Sequence, residues 1–195
     1  MKGVDSIREV LRGHTVHLYQ LKNSFVIFDE IDAFVSLSRE NETVEVLYLL
    51  PFIDRNAHGT HRYVIWEKFA EGIGNLQALN TIFIVDSEKE DYPDWEILAC
   101  ILRRLRRGIH LSLQHTAQLW DANALPAFAG VISGHAMIES FSTDCGFHVD
   151  CLDILCYALL TLPALERISF DHFVRQGPEE GQSLESMVML LQSPT

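Results

Sequence analysis

The stretch Leu165-Glu166-Arg167-Ile168-Ser169-Phe170 places apolar residues at offsets 0, +3 and +5. Successive side chains of an extended chain alternate faces, so it reads as a short strand with one buried face. Aligned copies recur upstream. Leu79-Asn80-Thr81-Ile82-Phe83-Ile84 fits throughout, and Gly108-Ile109-His110-Leu111-Ser112-Leu113 and Ile138-Glu139-Ser140-Phe141-Ser142-Thr143 each fit with one small or polar substitution. The four units start at positions 79, 108, 138 and 165, and so lie 29, 30 and 27 residues apart. A fifth, Val44-Glu45-Val46-Leu47-Tyr48-Leu49, starts 35 residues before position 79, the excess matching an insertion from Pro51 to His61.

The segments between these strands repeat too. Trp66, Phe69 and Ile73 precede the unit at Leu79; Trp95, Leu98 and Leu102 precede Gly108; Leu125, Phe128 and Ile132 precede Ile138; Leu152, Leu155 and Leu159 precede Leu165. Spacings of 3 and 4 mark one face of an amphipathic helix, here at a nearly constant distance from the next strand. Leu184, Met187 and Leu191 open the same pattern in the tail. The chain is thus expected to stop just before a further strand, with self-association through an uncapped C-terminal repeat. Residues 1–43 are read as an atypical N-terminal repeat region, with Thr15 to Leu21 as a possible strand and Ile31, Phe34 and Leu37 as a possible helix face; residues 44–195 form the regular repeats.

Units such as LPALERISF (162–170) and IGNLQALNTIFI (73–84) resemble the ribonuclease-inhibitor-like class of leucine-rich repeats, from about Val44 to the C terminus. The resemblance implies a curved α/β solenoid, with parallel strands on the concave side and helices on the convex side, used for binding other macromolecules. The Asn or Cys usual after the strand in that class is absent at Ser87, Thr116, Gly146 and Phe173, and Gly108 and Thr143 stand where apolar residues are expected. An ordinary α/β sheet domain gives similar periodicity without equal spacing; shared strand and helix phase over four units favours the solenoid. In a solenoid, offsets +2, +4 and +6 of each unit line the concave face. The rows are Val46, Tyr48, Leu50; Thr81, Phe83, Val85; His110, Ser112, Gln114; Ser140, Ser142, Asp144; and Arg167, Ser169, Asp171. The first two are apolar and aromatic, as at a contact surface, unless the insertion near Pro51 or a neighbouring segment covers them.

Hydrophobic residues make up 48% and charged residues 22% of the chain, an ordinary globular composition. With 15 basic and 27 acidic residues the formal charge is −12, which disfavours nucleic acid and anionic membrane surfaces as partners. The cysteines lack disulfide-scaffold spacing, the N terminus lacks a signal-peptide apolar stretch, and no window reaches the roughly 20 apolar residues of a membrane span. An intracellular, cytoplasmic protein is expected.

Four motifs invite chemistry. Phe25-Val26-Ile27-Phe28-Asp29-Glu30-Ile31-Asp32 looks like the Walker B strand of AAA-type ATPases, but no GxxxxGK[ST] cradle exists in the sequence. A helix start, with Asp29 and Glu30 favoured by the N-terminal dipole, is the preferred reading. Cys145, His148, Cys151 and Cys156, and the pair His58 and His61, carry zinc-ligand residue types without CxxC or HxxxH pairing. His110, His115 and His135 have no nucleophile signature around them. Arg103-Arg104-Leu105-Arg106-Arg107 concentrates positive charge at a helix end, which reads first as a complement to the helix dipole and second as an anion or acidic-partner contact. The expectation is a non-catalytic protein-binding scaffold with no cofactor and no metal. The alternatives are a structural segment of a longer repeat array and an ATPase fragment using Asp29–Asp32, which a magnesium-nucleotide titration would reveal.

Overall fold

In Thr81–Val85, Ile82 and Ile84 are 0% exposed while Thr81, Phe83 and Val85 remain partly exposed, so the strand buries one face. The same arrangement governs its neighbours. A computed structural model describes residues 2–17, 28–49, 60–85, 95–114, 124–144 and 149–170. In chain order the elements are α1 (Lys2–Val10), β1 (Thr15–His17), α2 (Phe28–Arg39), β2 (Val46–Leu49), α3 (Thr60–Asn75), β3 (Thr81–Val85), α4 (Trp95–Arg104), β4 (Ile109–Gln114), α5 (Ala124–Ile132), β5 (Ile138–Thr143), α6 (Val149–Leu160) and β6 (Arg167–Phe170). The strands form one six-stranded sheet in the order β1-β2-β3-β4-β5-β6, every adjacent pair parallel. A parallel pair needs a crossover, and the alternating helices supply it.

The helix faces read from spacing are the buried ones. Phe69 and Ile73 of α3, Leu98 and Leu102 of α4, Leu125, Phe128 and Ile132 of α5, and Leu152, Leu155 and Leu159 of α6 join Leu47, Ile82, Leu111 and Phe141 of the strands in one core. Aromatic rings link successive repeats within it: Phe34 stacks on Phe69 at 5.3 Å, and Phe128 lies 5.5 Å from Trp95 and 6.4 Å from Phe141. Each fully buried Leu, Ile or Phe contributes roughly 1.5–3 kcal/mol. Thr143, polar where an apolar residue is expected, is also enclosed, at 1% exposure.

The unit aligned on Gly108 is off by one residue at its start. The strand begins at Ile109, which pairs with Ile138, whereas the next rung joins His110 to Ser140, leaving Glu139 as the extra residue of a bulge. Glu139 is exposed, so the bulge keeps its carboxylate out of the apolar layer that Ile109 and Ile138 enter. Register is restored at once, and outward residues stay in phase.

At the helix-to-strand turns, polar groups fasten each repeat to its neighbour. Asn41 donates from Nδ2 to the Leu11 carbonyl (2.7 Å) and accepts at Oδ1 from the Val44 amide (3.0 Å). Gln77 Nε2 donates to the Arg39 carbonyl at 2.9 Å, Arg107 donates to the Gln77 carbonyl, and Thr161 Oγ1 accepts from the Gly134 amide at 2.9 Å. Gly134, at φ +72°, provides the left-handed residue that ends α5. Most of the 51–61 insertion, the acidic stretch 86–94, positions 87, 116, 146 and 173, and the tail carrying Leu184, Met187 and Leu191 lie outside the described residues.

Candidate functional site

Strand alternation turns every second side chain away from the helices, and parallel register aligns those side chains into rows across the sheet. One row runs Thr15, Val46, Thr81, His110, Ser140, Arg167; the next runs His17, Tyr48, Phe83, Ser112, Ser142, Ser169. Val85 pairs with Gln114 in a third, and the Asp144 amide donates to the Leu113 carbonyl at 3.3 Å beside it. Thirteen of the residues expected on this face therefore lie on or beside it; Leu50 and Asp171 lie outside the described residues.

The face divides into two chemistries. Toward β1 it is aromatic: His17 stacks on Tyr48 at 4.6 Å, and Tyr48 on Phe83 at 4.7 Å. Strands about 4.8 Å apart impose that spacing on flat rings in register. His17 and Thr15 are additions to the expected set. The sign was present, since Val16 stands 31 residues before Leu47 between two polar neighbours.

Toward β6 the same rows become hydroxyls around an imidazole. His110 Nδ1 lies 2.9 Å from Ser140 Oγ and Nε2 lies 2.9 Å from Ser142 Oγ, while Ser142 Oγ donates to Ser112 Oγ at 2.9 Å. Burial first, and the nearby Arg167 charge second, push the His110 pKa below its ordinary value. Both causes favour the neutral form of a ring that lies between two hydroxyls. Ser112 and Ser140, expected as open polar contacts, are only 5% and 7% exposed: neighbouring strands and the imidazole enclose them.

The other motifs resolve into local contacts. Phe28–Arg39 is helical, which puts Asp29 and Glu30 in a first turn rather than on a strand, and Asp32 forms an ion pair with Lys68 of α3. Glu67 accepts from Arg103 (3.1 Å) and Arg104 (2.9 Å), so the first half of the arginine run ties α4 to α3. Burial raises the Cys100 thiol pKa beside that pair, and Cys156 is enclosed within α6. Burial, then Arg103, lowers the pKa of His135. Among the described residues no three metal-ligating side chains converge; Cys145, His148, His58, His115 and the side chains of Cys151 and His61 lie outside them. No helix among the described residues is long and apolar enough to cross a membrane. No family model, no curated protein and no solved structure matches this chain.

Proposed function

We propose that the chain is a non-catalytic leucine-rich-repeat scaffold of the ribonuclease-inhibitor-like class that binds a protein partner on its strand face. The supporting observation is the aligned aromatic row. Tyr48 and Phe83 stand side by side, only partly buried, on the side of the sheet away from the helices. Aromatic anchors carry much of an interface's energy because they bury large area at small conformational cost. Held by strand register, these rings are preorganised for contact.

The double substitution Tyr48→Ala with Phe83→Ala should weaken partner capture by the immobilised chain strongly, with about 2 kcal/mol or more from each anchor. The variant should still melt cooperatively, since the inward Leu47 and Ile82 are untouched. Unchanged capture by a folded double variant would place the contact surface elsewhere.

The alternative, a structural segment of a longer array, is favoured by one feature: Ile168 and Phe170, the inward residues of β6, are only partly covered. It predicts stabilisation of β6 by adjoining repeats, measurable as slower amide exchange there in a longer chain.

A further inference from the structure

Glu67 engages Arg103 and Arg104, Leu105 is buried, and Arg107 donates to the Gln77 carbonyl, so the fold accounts for most of the run 103–107. Arg106 has no hydrogen bond or ion pair among the described residues. With Arg39 and Arg107 it lines a cleft of about 490 Å³ where α2, α3 and α4 end, on walls that include Asn75 and Gln77. Among the described residues the cleft's one carboxylate, Glu71, is already paired with Arg39 at 3.1 Å. Three guanidinium groups therefore face a single carboxylate, in a chain whose formal charge is −12.

Helix C termini ordinarily repel anions because their carbonyls are exposed. Here the Arg39 carbonyl at the end of α2 accepts from Gln77 Nε2, and Arg107 is anchored on the Gln77 carbonyl in the turn after α3. Guanidinium forks suit a compact oxyanion with several acceptor oxygens.

We propose that this cleft binds a phosphate group, with Arg106 and Arg107 supplying charge, at a site separate from the strand face. The group can arrive as free phosphate or on a phosphorylated side chain; the recognition chemistry is shared.

The test is thermal stabilisation of the whole chain by inorganic phosphate against chloride at equal ionic strength, repeated with phosphoserine. Phosphate should raise the melting temperature where chloride does not. Arg106→Gln should weaken apparent affinity about tenfold, the size of one charge-assisted contact. Arg12→Gln, an exposed change on the turn after α1 whose side chain meets only Glu9 among the described residues, should leave affinity unchanged. Tighter binding of phosphoserine assigns the site to a phosphorylated segment, and tighter binding of inorganic phosphate assigns it to the free anion. The proposal fails if phosphate and chloride act alike, or if Arg12→Gln and Arg106→Gln lose affinity equally.

Discussion

Two glycines show how neighbours decide the effect of one methyl group. A Cβ on Gly72 would overlap the Phe34 ring, which is fully buried and stacked on Phe69, so the ring has nowhere to retreat. Gly72→Ala should destabilise by about 1–3 kcal/mol through overpacking, despite alanine's better helix propensity. A Cβ on Gly108 would instead overlap the Glu139 carboxylate, the exposed end of a flexible side chain that can swing away. Gly108→Ala should therefore stay within about 0.5 kcal/mol of the parent; urea midpoints of the two variants check the contrast. His110 carries a pH signature. Its lowered pKa, from burial and then Arg167, means that the folded chain binds fewer protons than the unfolded chain near the ordinary histidine value. Its contribution to stability is complete above about pH 6.5 and is lost as pH falls below that value. His110→Gln should shallow the fall in melting temperature between about pH 7.5 and 5.5 relative to the parent. An identical fall would show that the Ser140–His110–Ser142 contacts do not couple to protonation; His135, lowered for similar reasons, contributes its own share in both proteins.

At the scale of elements, spacing identified the helix faces because each helix repeats its own 3.6-residue period and needs no distant residue to declare it. The strands were legible for the same reason, down to the rows of outward side chains. The turns were not. Asn41 was not singled out by periodicity, yet its side chain bridges the Leu11 carbonyl, the Thr43 hydroxyl (3.2 Å) and the amides of Thr43 (3.2 Å) and Val44. Truncating it leaves the Thr43 and Val44 amides without this acceptor and the Leu11 carbonyl with the Thr43 hydroxyl (3.1 Å) in place of two side-chain donors. Asn41→Ala should cost about 1–3 kcal/mol and release the first repeat before the rest. Amide exchange localised to α1 and β1 would show this; loss of protection spread evenly over all six strands would show that the bridge has no local role.

For the molecule as a whole, each described strand pairs only with its sequence neighbours, and stability in such an arrangement builds from nearest-neighbour interfaces. Protection from exchange should therefore peak in β3 and β4 and fall toward β1 and β6, with slow and fast amides differing by at least about tenfold; uniform protection would mark one indivisible cooperative unit. The amino-acid sequence by itself determined the number of regular units, their parallel α/β character, the buried helix faces and thirteen residues on or beside the outward rows, because alternation and helical periodicity are written within about 30 residues. Only the tertiary structure decided that β1 joins the sheet, that Glu139 is bulged out, that His110 sits between Ser140 and Ser142, that Glu67 takes Arg103 and Arg104, and that Arg106 is left facing a cleft. Each of these depends on side chains about one repeat apart meeting across a strand or helix boundary, and the geometry of such a meeting leaves no periodic mark on either segment alone.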